Sequence, residues 1–256
     1  MLVFTGIALA SCEKVIDVDL KDASPIIVIE GTVTNRADSQ IVRIHRSVPF
    51  GEPNDFPEVT GAIVTIFDNT NGRLITLRER RPGFYMARNF TGRSGISYKL
   101  RVEINGEIFT ASSTMPNHVN IDSLGVSVSS FLGDEQKTVQ LLYTDPPGVK
   151  NYFRFHLNIN GKASENIFAY DDNFTDGRMV TRELFDFDLN AKTGDTAEIE
   201  MQCIDPVIFR YWQGLDQNEN RGGASTTPAN PVSNISNGAL GYFSAHTQQK
   251  ETIIIP

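Results

Sequence analysis

The sequence predicts a mainly β protein: an N-terminal immunoglobulin-like or transthyretin-like β-sandwich followed by a second antiparallel β domain with one short helix. Three observations carry this. Runs of β-branched and aromatic residues recur and stop at turn formers. Asn-Gly pairs, as at Asn71-Gly72, Asn105-Gly106 and Asn160-Gly161, stand at the ends of such runs, the strongest short-range hairpin signal. One segment alone, opening Asp205-Pro206, changes to helical spacing.

With 256 residues, 40% hydrophobic and 21% charged, the chain has an ordinary globular composition and room for two modest domains. Its net charge of −8, without any block of Lys or Arg, excludes nucleic acid as an expected partner. Beyond residue 12 no apolar run approaches the roughly 20 residues that span a bilayer as a helix. A membrane tie must therefore lie at the N-terminus.

Residues 1–11 read as a lipoprotein signal peptide. The apolar stretch 2–10 is too short to span and runs straight into small residues and a cysteine. Leu9-Ala10-Ser11-Cys12 resembles the bacterial lipobox, in which cleavage precedes the cysteine and that cysteine carries the acyl chains. A catalytic thiol would need a cationic neighbour, and a disulfide would need Cys203, far away in an apolar run. An ordinary cleaved signal or a packed N-terminus is the alternative, and Met1-Leu2-Val3 lacks the usual basic residues. Residues 12–24 form an acidic tether. It is either a solvated linker or, since acidic residues directly follow the cysteine, similar to the export signal of surface-exposed lipoproteins.

The first domain spans 25–116. Strands are expected at 26–34, at 62–67 and 74–77 around Asn71-Gly72, and at 99–104 and 107–111 around Asn105-Gly106. In Lys99-Leu100-Arg101-Val102-Glu103-Ile104 the apolar residues take one face, the period of a half-buried strand. Met115-Pro116-Asn117 marks the boundary.

The second domain spans 117–256, with strands at 121–131, 138–144, 152–159, 166–170, 179–189, 197–204, 240–245 and 252–255. In the third of these Phe153, Phe155, Leu157 and Ile159 share one face, while Tyr152, Arg154, His156 and Asn158 take the other. The helix is expected at 206–217, with Asp205 as N-cap, Pro206 at the first position and Ile208, Tyr211, Trp212 and Leu215 in one stripe.

Several phrases of this chain resemble an uncharacterised domain family of Gram-negative outer-membrane lipoproteins. They include Cys12-Glu13-Lys14-Val15-Ile16, Ile29-Glu30-Gly31, Tyr143-Thr144-Asp145-Pro146-Pro147-Gly148, Asn151-Tyr152-Phe153-Arg154-Phe155 and Phe209-Arg210-Tyr211-Trp212. The closing Asn230-Pro231 through Gly241-Tyr242-Phe243 fits as well. The resemblance implies no enzyme activity. Members tend to be encoded beside TonB-dependent receptors, which implies a partner in an outer-membrane barrel, anchoring to the membrane through the N-terminal lipid, and an accessory role in binding or nutrient uptake. Surface adhesion or scaffolding is an alternative, and a carbohydrate-active hydrolase a more distant one.

Few constellations invite chemistry. His45, His118, His156 and His246 are scattered, with no pair at metal-ligand spacing, and no nucleophile elbow, Walker loop or dinucleotide fingerprint is present. No cofactor is expected. The oxygen-rich Asp171, Asp172, Asn173 and Asp176, ahead of Gly177, could serve a hard cation such as calcium, but the order is not that of an EF-hand, and a solvated turn is the plainer reading. Asp186 and Asp188 would share a face of the 179–189 strand, its wet side or an acid/base pair. Tyr211, Trp212 and Tyr242 are either core or a platform for a sugar or peptide. Cys203 reads as a small buried hydrophobe.

Overall fold

The structure, a computed structural model, describes residues 25–37, 40–49, 52–53, 55–131, 134–219 and 230–256. Cys12 and the acidic tether lie outside the described residues. The protein is mainly β with one helix, and no helix among the described residues is long and apolar enough to cross a membrane.

The first half forms β1 (Ile27–Thr34), β2 (Gln40–Arg46), β3 (Ile63–Asp68), β4 (Leu74–Arg81), β5 (Phe84–Ala87), β6 (Ser97–Ile104) and β7 (Glu107–Thr114). Two of these escape sequence reading. β2 alternates buried Gln40, Val42 and Ile44 with Arg43 and His45, so its apolar signal is diluted. β5 is only four residues long, and its pairing with β2 and β4 comes from tertiary context.

The second half forms β8 (Ile121–Phe131), β9 (Asp134–Thr144), β10 (Tyr152–Ile159), β11 (Lys162–Ala163), β12 (Phe168–Asp171), β13 (Met179–Leu184), β14 (Thr196–Cys203), α1 (Pro206–Glu219) and β15 (Leu240–Ile254). The strand expected at 179–189 stops at Leu184. Asp186 and Asp188 therefore share no strand face: they lie in a turn where an Asp186 oxygen accepts the Asp188 N–H at 2.8 Å and another accepts the Ser164 hydroxyl at 2.5 Å. The two final strands are one continuous β15. Its polar stretch continues the strand, His246 pairing with Thr34 of β1 and Thr247 to Glu251 pairing residue by residue with β14, and backbone pairing needs no apolar side chain.

Asn105-Gly106 and Asn160-Gly161 turn their hairpins as expected, with φ of 50° and 85° in the first and 52° and 87° in the second, the two successive left-handed residues that a type I′ turn requires.

A twelve-stranded sheet runs β11-β10-β14-β15-β1-β2-β5-β4-β3-β6-β7, with β12 also paired to β10; β13-β9-β8 forms a second, three-stranded sheet. The large sheet curls until β7 returns against β15, where the Ala245 N–H donates to Ser113 Oγ at 2.8 Å. One core fills this sandwich-like curl, around Ile29, Val42, Tyr85, Leu100 and Phe109, and includes Ile235, Ala239, Phe243 and Ala245 from the far end of the chain. The other lies between the two sheets, around Leu141, Tyr143, Phe153, Phe155, Ile199 and Met201. Residue 116 thus separates most of the two cores in sequence, yet β15 belongs to both.

β15 pairs with β1 in parallel from Val28↔Leu240 to Thr34↔His246, then with β14 antiparallel from Cys203↔Thr247 to Thr196↔Ile254. The parallel pair departs from the all-antiparallel expectation, because strand direction here is set by a long return connection rather than by a hairpin. At the handover the Asn35 side chain replaces the missing β1 backbone, accepting the Gln248 N–H at 2.8 Å and donating to the Gln248 carbonyl at 3.3 Å.

Gly241 permits the close approach of β15 to β1. It has φ of 93°, and a Cβ there would stand 2.1 Å from the Ile29 carbonyl oxygen. At Gly106, with φ of 85°, an added Cβ meets nothing within 4 Å. Gly241→Ala is therefore expected to cost about 2–4 kcal/mol, combining backbone strain with displacement of the strand, and Gly106→Ala only about 1 kcal/mol. Urea unfolding of both variants checks this; equal losses would remove the steric argument.

Candidate functional site

The face of the large sheet opposite the cores carries the site. Because side chains alternate, Phe153, Phe155 and Leu157 of β10 enter the core, and Arg154, His156 and Asn158 point the other way. Cross-strand pairing lines them up with polar neighbours: Arg154 opposite Gln202, His156 opposite Glu200 and Asn158 opposite Glu198 on β14. The rows continue onto β15 as Gln248 opposite Gln202 and Lys250 opposite Glu200, with Tyr242, Ser244 and His246 on the same strand. The result is an open polar cavity of about 420 Å³.

α1 walls one side of this cavity. Asp205 caps it as expected, accepting the Val207 and Ile208 N–H groups at 3.0 Å each, and the helix runs to Glu219, slightly past the expected 217. Ile208 and Phe209 bury against Ile204, Tyr152 and Ala169, a small third core on the polar face. This docking delivers Trp212 to the cavity edge.

The three aromatic residues singled out in the sequence come together. Ring centroids lie 5.3 Å apart for Tyr211 and Trp212, 5.1 Å for Tyr211 and Tyr242, and 5.2 Å for Trp212 and Tyr242. They do not form a bare platform. The Arg154 guanidinium lies 3.3 Å from the Trp212 ring centroid, covering that face in a cation–π stack. Among the described residues no carboxylate reaches ion-pair distance of Arg154. Burial lowers its pKa to about 10, partly offset by Tyr242 and Glu200, so it remains a cation at neutral pH.

The other charges are engaged. Lys250 donates to Glu198 at 2.9 Å and lies 3.3 Å from Glu200, while Gln202 donates to Glu200 at 2.6 Å. His246 contacts the Ser244 hydroxyl through Nδ1 at 2.9 Å, and both residues are buried. Burial, reinforced by the Arg154 charge, pushes the His156 imidazole down to about 3. Burial likewise pushes His246 down to about 4, against the pull of Glu200. Both are neutral at pH 7.

The oxygen-rich loop is not a converging ligand set. Asp172 is buried and accepts the Asn151 N–H at 2.6 Å and the Lys150 ammonium, so a lysine supplies its positive charge. Asp176 accepts the Gly148 N–H at 2.7 Å, and Asp171 turns to Asn173. Among the described residues no three His, Cys, Asp or Glu side chains group to hold a metal. Cys203 is buried, its Sγ 3.4 Å from the Val119 N–H, and burial raises its pKa. His45 sits against the Phe56 ring and His118 is exposed, both away from the cavity lining.

Sequence reading named the aromatic wall but not Arg154, Glu200, Gln202, His246 or Lys250 as a group. The available signal was alternation: β10, β14 and β15 each place charged or amide side chains on successive positions of one face, more than a merely wet surface needs.

The histidines make stability depend on pH. The native state keeps both neutral, while the unfolded chain takes up protons below the ordinary value of 6.5, so the unfolded state binds more protons and stability falls as pH drops from about 6.5 toward 4. Each contributes a slope of up to about 1.4 kcal/mol per pH unit in that window. Asp145, raised by burial, acts in the opposite sense. Urea unfolding at several pH values should show the decline, and His246→Gln should flatten it; an unchanged slope would refute the assignment.

A search of curated proteins finds no match. The family model described as "Domain of unknown function (DUF4249)" matches residues 13–252, beginning at the residue after Cys12 and taking in every residue that lines the cavity. The chain belongs to the DUF4249 family, a domain of unknown function.

Proposed function

We propose that the protein is a non-catalytic, ligand-binding accessory of the cell envelope, lipid-anchored to the outer membrane through Cys12, surface-exposed, and working beside a TonB-dependent barrel receptor. The observation that carries the binding role is the cavity itself: about 420 Å³ lies within the range of small-molecule sites, roughly 300–1,000 Å³, with hydrogen-bonding groups converging from four strands and an aromatic wall. The lipobox-like Leu9-Ala10-Ser11-Cys12 supports the anchor, and the net charge of −8 speaks against nucleic acid.

One observation favours a hydrolase instead. Ser244 Oγ and His246 Nδ1 stand 2.9 Å apart, the separation of a nucleophile and its base. The environment works against that role, since burial makes His246 a weak base and Glu200, the carboxylate acting on it, is already bonded to Gln202 and Lys250. The pair is better read as a buried hydroxyl satisfied by its neighbour two residues along the strand.

Full-length protein extracted from its membranes in mild detergent is expected to co-purify with a barrel receptor, and Cys12→Ala to shift it to the soluble fraction. Absence of any barrel would overturn the receptor partnership; a membrane-bound Cys12→Ala variant would overturn the anchor. A serine-directed fluorophosphonate should not label Ser244. Labelling that is lost in Ser244→Ala would establish the hydrolase reading.

A further inference from the structure

Building on the binding role of this cavity, we infer that its ligand is a hydroxylated monocarboxylate, such as an acidic sugar, whose carboxylate docks on Arg154. The half-buried Arg154 guanidinium lies 3.3 Å from the Trp212 ring centroid and interacts with the Tyr242 hydroxyl, two contacts that restrict where it can move. Its planar fork matches a carboxylate through two parallel hydrogen bonds, and fixing it in advance removes the rotamer cost of binding. No carboxylate among the described residues uses that fork.

Charge selects the anion. Lys250, the other cation lining the cavity, is bonded to Glu198 and Glu200, and His156 and His246 are neutral at pH 7. Among the described residues Arg154 is the cavity-lining cation with no carboxylate at ion-pair distance, and Glu198 and Glu200 line the same cavity. One negative charge balances Arg154; a phosphate dianion would bring a second with no partner and would be repelled by Glu198 and Glu200.

The floor selects the body. Ser244, Gln202, Gln248 and Asn158 present hydroxyl and amide groups, each able to donate and accept, beside apolar surface from Ile41, Leu157, Ala163, Trp212 and Tyr242, a mixture that suits the polar edges and apolar faces of a sugar. Hydroxyl groups, which also do both, fit such a surface. An acyl chain or an apolar peptide side chain would make no use of these hydrogen-bonding groups. The lining crosses from β1 through β15, β14 and β10 to β11, about 19 Å at the usual strand spacing, so the ligand can extend beyond one sugar ring.

Trp212 is the one tryptophan of the chain, so its fluorescence reports on this site alone. Titration of the full chain with glucuronate, glucose, acetate and inorganic phosphate, followed by fluorescence and calorimetry, tests the assignment. Glucuronate is expected to bind at least about tenfold more tightly than glucose, acetate or phosphate, in keeping with a charge-assisted bidentate pair. Arg154→Gln should remove that preference, and Arg154→Lys, which keeps charge and stem but loses the fork, should retain only part of it. Equal binding of glucose and glucuronate by the wild type would overturn the role of Arg154 while leaving the cavity a binding site. Tighter binding of phosphate, or no response to glucuronate, would overturn the ligand class. The accessory role would still stand or fall on receptor co-purification, which does not depend on Arg154.

Discussion

Everything in this fold depends on the handover made by β15. One strand of 15 residues bonds to β1 in parallel over its first half and to β14 antiparallel over its second. The odd-numbered residues Phe243 and Ala245 are buried in the first core, while the backbone that follows carries the strand into the sheet over the second. Without this strand the chain would hold two separate β units, each with an open sheet edge. With it, the edges of β1 and β14 are consumed and a single continuous surface results.

That surface has two faces with opposite demands. The apolar face contributes burial worth about 25 cal/mol per Å², with Phe153, Phe155 and Phe243 almost wholly removed from water. The polar face must spend some of this stability, because half-buried Arg154, His156 and Glu200 are partly desolvated. Each is compensated differently: Arg154 by the Trp212 ring, Glu200 by Lys250 and Gln202, and the histidines by staying neutral. Such compensation specifies geometry, since a guanidinium stacked on indole and a carboxylate bridged by lysine each tolerate little displacement.

Local chemistry was legible in the sequence and long-range pairing was not. The Asn105-Gly106 and Asn160-Gly161 hairpins, the alternation of β10 and the Asp205 cap with its helix all follow from spacing and turn chemistry within about a dozen residues. β2 and β5 were hidden because arginines and shortness mask their period. β15 reads as two strands because its polar middle looks like a loop until β14 is beside it. The same limit applies to the site. Tyr211, Trp212 and Tyr242 stand out individually, whereas Arg154 and Glu200 look like ordinary wet-face charges until strand pairing sets them around one cavity.

The wall and the floor of that cavity are held by different cores, and two links keep them in step. One is β15, which carries Tyr242, Ser244 and His246 across from the first core. The other is Ser113 on β7: its hydroxyl donates to the Asp205 carboxylate and accepts the Ala245 N–H, while Asp205 caps α1. A residue of β7, in the curled first half, thus fixes the start of the helix that carries Trp212, and Trp212 in turn positions Arg154 on the polar face of β10, whose other face packs into the second core. A shift between the two cores would move wall and floor together only if both links hold. The orientation of Arg154 is therefore a property of the whole assembled sheet, which explains why a chain with so long a return connection brings its last strand back beside its first.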